Sequence, residues 1–288
     1  MTDVACLDHV GVVGRDMQPL LAAYRRLGFA PTEPKTLFGR DRATGAPVSL
    51  GQSSAHLVFG SGYVELSAVH STSPDHHLAS YLGRHAGLHI LAFGVDDIAA
   101  AQARCLAAGL PATAVAAASR PIEYGEHHGE ARFEWFMVEA AAAPEGLLCC
   151  VRHVTPELVF QPAVQRHPNR VEALAGLYVV TADAPAALQR LAAITGAGVG
   201  DGAGVGDGDT LALVGGWIRV LSPAAFAARF PGAGIPAAPC LAGFALRTAD
   251  LDRARAICAA AGVAVREQPE GFWVPAGEAG GCVVEFVG

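Results

Sequence analysis

Leu7-Asp8-His9-Val10-Gly11-Val12-Val13-Gly14-Arg15-Asp16 decides how this chain is read. It is a short apolar run that carries one histidine and ends on an aspartate placed to cap a helix. Met17, Leu20, Leu21 and Tyr24 then follow at i, i+3, i+4 and i+7, and Gly28 closes the helix. The same phrase returns three times. Strand 88–95, Asp97, helix 98–108 and Gly109 make a second unit. A third has strand 174–181, Asp183, helix 184–195 and Gly196, and a fourth has strand 241–247, Asp250, helix 251–261 and Gly262. The Asp-to-Gly distance is 12, 12, 13 and 12 residues. An Asp accepts from the free N–H groups of the first turn, and a Gly past the last turn takes the left-handed exit.

Short strands follow each helix. They are expected at 46–50, 55–60 and 62–68 in the first unit, and at 111–116, 131–138 and 146–153 in the second. The third offers 210–215 and 216–222, and the fourth 264–268, 271–274 and 281–287. The predicted class is therefore α+β, with four βαβββ modules paired into two curled-sheet domains. A sheet covered by a helix on one face must bury or wrap the other, and two modules sharing a cleft achieve that. The domains are placed at residues 1–154 and 171–288, joined by a segment over 155–170. Pro156, Pro162 and Pro168 deny that segment a period, while Leu158, Val159 and Phe160 predict that it is ordered. Gly196–Asp209 contains Gly-Ala-Gly-Val-Gly-Asp twice. It follows a helix and opens a strand, the reverse of a dinucleotide-binding loop, and reads as a flexible loop grown by duplication.

With 288 residues, 52% of them hydrophobic and 16% charged, the chain has material for two packed cores. A net charge of −7 with no run of Lys or Arg argues against nucleic acid. No stretch approaches the ~18 apolar residues of a membrane span. The first residues lack a basic-then-apolar leader. Seven cysteines without a CxxC pair suit a reducing compartment. The expectation is a cytoplasmic protein with a small-molecule substrate or ligand and no membrane partner, a monomer or a homodimer joined through strand edges.

Three stretches carry a family resemblance: Leu7-Asp8-His9-Val10-Gly11-Val12, Tyr63-Val64-Glu65-Leu66 and Phe93-Gly94-Val95-Asp96-Asp97-Ile98. With the fourfold module order, they resemble the vicinal oxygen chelate superfamily and its glyoxalase-like branch. That superfamily includes glyoxalase I, extradiol dioxygenases, fosfomycin-resistance enzymes, methylmalonyl-CoA epimerase and bleomycin-binding proteins. The resemblance implies one divalent metal (Zn, Ni, Mn or Fe) per paired domain, held by the first and last strands of both modules. Carried over, His9 and Glu65 fill the first module's slots. Such an ion would polarise a substrate oxygen. Glu65 is also the candidate base for moving a substrate proton.

The second module departs from the pattern. Seven residues before Asp97 lies Ile90, not His89, and His89 faces the cleft only if Asp96 is the cap or a bulge intervenes. The last-strand slot falls at Cys149 or Cys150, with His153 just beyond. In the second domain the slots are Gly176, Val220 (or Arg219), Gly243 and Glu285. That half reads as structural or as an accessory binding surface. Phe133, Trp135 and Phe136 form an aromatic strand, either core or cleft wall. His127 and His128, His76 and His77, and Arg152 fit loops, a turn and an anion clamp or solvated linker. Two functions remain open. One is a metal-dependent lyase, isomerase or dioxygenase built on His9, Glu65 and a donor such as His89 or His153. The other is a metal-free binding or sequestering protein of the bleomycin-resistance type. A partner-binding scaffold is a third.

Overall fold

The computed structural model describes residues 4–40, 47–200, 209–236 and 238–288. The second copy of the glycine repeat lies outside them. The first module contains β1 (Cys6–Gly14), α1 (Met17–Arg26), β2 (Lys35–Arg40), β3 (Pro47–Val58) and β4 (Tyr63–Val69). After a one-turn helix, α2 (Ala79–Leu82), the second module runs β5 (Gly87–Gly94), α3 (Ile98–Ala107), β6 (Ala116–Ile122), β7 (Gly129–Met137) and β8 (Leu147–His153). A short α4 (Pro156–Val159) precedes β9 (Val171–Val180), α5 (Ala184–Thr195), β10 (Val199–Gly200), β11 (Asp209–Leu213) and β12 (Gly216–Leu221). Then come α6 (Pro223–Arg229), β13 (Cys240–Thr248), α7 (Leu251–Ala260), β14 (Arg266–Gln268), β15 (Gly271–Val274) and β16 (Val283–Val287).

The four caps act as their residue types require. Asp16, Asp97, Asp183 and Asp250 accept from Gln18, Ala100, Ala186 and Arg253 backbone N–H groups. Gly28, Gly109, Gly196 and Gly262 all have φ between 68° and 84°.

Modules one and two form one eight-stranded sheet in the order β2-β3-β4-β1-β5-β8-β7-β6. Modules three and four repeat it as β10-β11-β12-β9-β13-β16-β15-β14. In each, the two first strands meet antiparallel at the centre and each fourth strand runs parallel to its own first strand. The α+β architecture of four modules paired into two curled sheets is thus observed. One apolar cluster joins the halves: Val10 and Val12 of β1, Leu21 and Tyr24 of α1, and Leu177, Phe244 and Phe286 belong to it. Tyr24 Oη donates to the Ala279 carbonyl across the divide. Each sheet keeps a separate cluster on its concave face.

β3 is one continuous run in place of the expected strands at 46–50 and 55–60, and β6 runs Ala116–Ile122 in place of the expected 111–116. β2, α2, α4, β10 and α6 lie outside the predicted elements: β2 is an edge strand without alternating hydrophobicity, and α6 has no apolar stripe of its own length. α6 nevertheless matters, because its Phe226 and the following Phe230 plug the second sheet's concave face. Beneath them, a Cβ at Gly176 would lie 2.2 Å from the Trp217 ring. Gly176→Ala is therefore expected to cost about 1–3 kcal/mol by overpacking, read as a lower urea midpoint. An unchanged midpoint would show that Trp217 moves freely.

Candidate functional site

The site begins with a slip in strand pairing. Leu7 pairs with Phe93 but His9 pairs with Ala92, which leaves Asp8 as an extra residue. Such a bulge re-aims side chains. Leu7, Val10 and Val12 enter the shared core, and Asp8 turns to bond His9 and His153.

Asp8 is buried, with Oδ1 2.7 Å from His9 Nδ1 and Oδ2 3.2 Å from His153 Nε2. Burial by itself raises the carboxyl pKa, but the hydrogen bonds from His153 and His9 outweigh it and hold Asp8 well below the usual carboxylate range. An ionised carboxylate only accepts, so both nitrogens facing it carry hydrogen. His9 Nε2 is thereby turned to Glu65, 4.0 Å from its Oε2. The His9 ring stacks on Tyr63 at 4.4 Å between centroids. Glu65 accepts from Ser67 Oγ at 2.6 Å, and Ser67 accepts from Gln52 Nε2 at 2.9 Å. His153 Nδ1 is buried and has no partner. Phe160, from the segment after β8, covers this end at 5.4 Å from the His153 ring and 6.2 Å from Tyr63.

The opposite wall is apolar. The pairs His9–Ala92 and Gly11–Ile90 are symmetric about the β1–β5 junction, so Ile90 stands where the second module would place the counterpart of His9. Cys149 pairs with Ala92 as Glu65 pairs with Gly11, which makes Cys149, not Cys150, the counterpart of Glu65. Burial, then the charges of Asp8 and Glu65, push the Cys149 thiol far above its ordinary range, so without a metal it stays protonated. Phe133 and Trp135 pack on this wall, while Phe136 enters the shared core.

His89 lies elsewhere. A second register slip makes it the extra residue opposite Gly11 and Val12, and its Nε2 meets the His85 carbonyl at 2.8 Å. Asp97, not Asp96, caps the helix. Burial pushes the His89 pKa down to about 4, against the opposing pull of that carbonyl. The unfolded chain takes up this proton near the ordinary histidine value, so stability falls as pH drops from about 6.5 towards 4. His56 and His167 shift the same way. His89→Gln is expected to remove on the order of 2 kcal/mol of that acid loss. Urea midpoints at pH 7 and pH 4.5 measure it, and an equal drop in both proteins would refute the assignment.

Four slots thus hold His9, Glu65, Ile90 and a protonated Cys149. His9 and Glu65 alone fall short of the three donors usual for a protein-held divalent ion, and Cys149 would have to lose its proton to make a third. Among the described residues, no three His, Cys, Asp or Glu groups are arranged to hold a metal. Of the candidates, His9, Glu65 and His153 share one cluster and His89 does not. Asp8 and Tyr63 are members that the sequence reading missed, although a carboxylate inside an apolar strand was a usable signal.

In the second sheet, the register assigns Arg219, not Val220, to the slot of Glu65. Arg219 lies over the Trp217 ring at 4.9 Å. Glu285 is buried and bonded to Arg229 at 2.7 Å and to Tyr178 Oη at 2.5 Å. Arg152 pairs with Glu134, and His76 and His77 stack on each other outside the site.

The "Glyoxalase-like domain" family model matches residues 7–195. No curated protein sequence matches the chain. Among solved structures, a hypothetical protein from Staphylococcus aureus aligns over 98% of this chain and 99% of its own, with TM-score 0.64 and 6% identity. A mutant 4-hydroxymandelate synthase from Streptomyces coelicolor aligns over 93% and 78%, with TM-score 0.59 and 18% identity. The Mn(II)-bound glyoxalase from Novosphingobium aromaticivorans aligns over 99% and 82%, with TM-score 0.59 and 15% identity. At these identities the structural likeness is one of fold, whereas the family match spans most of the chain. The chain belongs to the glyoxalase-like domain family of the vicinal oxygen chelate superfamily.

Proposed function

We propose that the N-terminal sheet is an acid–base site for a small molecule, with His9 and Glu65 as its proton-handling groups. The observation that carries this is the clamp of Asp8 on His9 Nδ1, which aims Nε2 at Glu65 across 4.0 Å. A substrate hydrogen placed in that gap meets the Nε2 lone pair. The imidazolium formed by taking it lies between the Asp8 and Glu65 carboxylates, which lower its energy. Tyr63 fixes the plane of the ring by stacking, and the apolar wall of Ile90, Val151 and Phe133 shields the substrate from water.

The test is deuterium incorporation from D2O into 2-oxo acids, 2-hydroxy acids and hemithioacetals, followed by NMR. His9→Ala and Glu65→Gln should each slow exchange by about 10²-fold or more. Exchange that survives both variants, or no exchange with any compound, would overturn the proposal. Binding without exchange would move the function to the metal-free sequestering type. A divalent-metal lyase, isomerase or dioxygenase is the second reading. It draws on His9 Nε2 facing Glu65 and on the fold shared with a Mn(II)-bound glyoxalase.

A further inference from the structure

Arg120 is a cation beside this site that the acid–base reading leaves unused. We propose that it binds the anionic end of the substrate, which is a small organic acid with its carboxylate on Arg120 and its reacting carbon at His9 and Glu65. This rests on the reading above and adds the substrate class to it.

Arg120 belongs to β6, the last strand of the first sheet, and His56 to β3, near the other edge. The sheet curls until the two edges meet: Arg120 Nη1 lies 3.1 Å from His56 Nδ1, and Lys35 pairs with Glu123 on the same seam. His56 stands directly opposite Glu65 in the ladder. Burial, then the charge of Arg120, hold the His56 pKa well below its usual range, so His56 is neutral and accepts from the arginine. That occupies one guanidinium N–H. Arg120 is half-buried, and among the described residues no carboxylate lies within ion-pair distance of it. A guanidinium partly withdrawn from water without a counter-ion favours an anion, and its planar fork matches a carboxylate.

A second observation points to a ligand at the same wall. Gln52 shares the face of His56 on β3, is 2% exposed, and its Oε1 has no hydrogen-bond partner. It is an acceptor waiting for a hydroxyl or N–H. Two ring contacts separate Arg120's partner from His9: His56 to Tyr63 at 5.4 Å and Tyr63 to His9 at 4.4 Å. A ligand that spans them is short. Across from it stand Phe133 and Trp135, which suit an apolar or aromatic substituent.

Mandelate and mandelamide are a matched pair of probes. They share a ring, a hydroxyl and an α-hydrogen, and differ in charge. Affinities are read from heteronuclear NMR titrations that follow the His9 and Tyr63 side chains. The wild type should bind mandelate at least about tenfold more tightly than the amide. Arg120→Gln should bring mandelate to the amide's level and leave the amide unchanged, and Arg120→Lys should fall between. Unchanged Tyr178 and Trp273 resonances in the second sheet and unchanged near-ultraviolet circular dichroism show that the variants are folded. Equal binding of both probes by the wild type, or a preference that persists in Arg120→Gln, overturns the role of Arg120 while the site stands. If neither probe moves His9 or Tyr63, the site reading fails and the assignment fails with it.

Discussion

Arg229→Met is expected to destabilise the protein by about 3–5 kcal/mol, the usual cost of leaving one member of a buried ion pair alone. Glu285 is 1% exposed and sits among Tyr178, Phe230 and Trp273. Its two oxygens are satisfied by Arg229 Nη2 at 2.7 Å and Tyr178 Oη at 2.5 Å. Arg229 Nε in turn donates to Tyr178 Oη at 3.1 Å, and the guanidinium lies 5.3 Å from the Phe230 ring centre. Burial, then the charge of Glu285, push the Tyr178 pKa far up, so the hydroxyl stays protonated and able to donate. Removing the arginine strands a carboxylate against aromatic rings with one donor left. Adding Glu285→Leu should restore most of the lost stability, because an apolar pair of similar volume replaces a costly ionic one. Urea unfolding of the two single variants and the double variant measures the coupling. A mild Arg229→Met, under about 1 kcal/mol, would mean that water already reaches Glu285. In this arrangement α6 places a cation of the protein's own on Glu285, whose position in the second sheet corresponds to that of Cys149 in the first.

The second large effect is a gain. Ile90→His with Cys149→Glu should create a divalent-metal site where the natural chain has two donors. Ile90 sits over Gly11, whose lack of a side chain leaves room for an imidazole; a Cβ there would lie 2.6 Å from Ile90 Cδ1. Cys149 already faces Asp8 and Glu65 closely enough to feel both charges. Structural zinc sites reach about 10–16 kcal/mol with four protein ligands, or roughly 3 kcal/mol each. Two added donors should therefore tighten Zn(II) or Mn(II) binding by roughly 10³-fold or more. Calorimetric titration of wild type, single and double variants reads the effect. If the natural chain binds one equivalent as tightly as the double variant, the count of donors given above is wrong.

The fourfold build was legible because its signals are local. An Asp cap, an apolar stripe and a Gly exit recur at nearly fixed distance, and each has a mechanism that needs no knowledge of the rest of the chain. The facing of His9 and Glu65 was legible too, since both lie in apolar strands of one module. What the sequence hid was register. Asp8 joins His9 only because of a bulge, and a bulge depends on the partner strand. Counting from Asp97 leads to Ile90 and turns His89 from the cleft unless a bulge intervenes. His89 is itself the extra residue of a second bulge, yet its imidazole meets the His85 carbonyl, a partner that no count could name. The choice between Cys149 and Cys150, or between Val220 and Arg219, is likewise a one-residue matter of pairing. Arg229 and Arg120 were invisible for another reason. Each reaches its partner from a distant element, α6 or the far sheet edge, and no local pattern announces such a meeting.

Deuterium incorporation after exhaustive chelation tests the acid–base account most directly, using whichever acid the wild type exchanges. If His9 and Glu65 move the proton themselves, the rate stays within about twofold of the untreated protein and falls about 10²-fold or more in His9→Ala. Loss of exchange on chelation, with recovery on adding Mn(II) or another divalent ion, would contradict it and give the site to a metal.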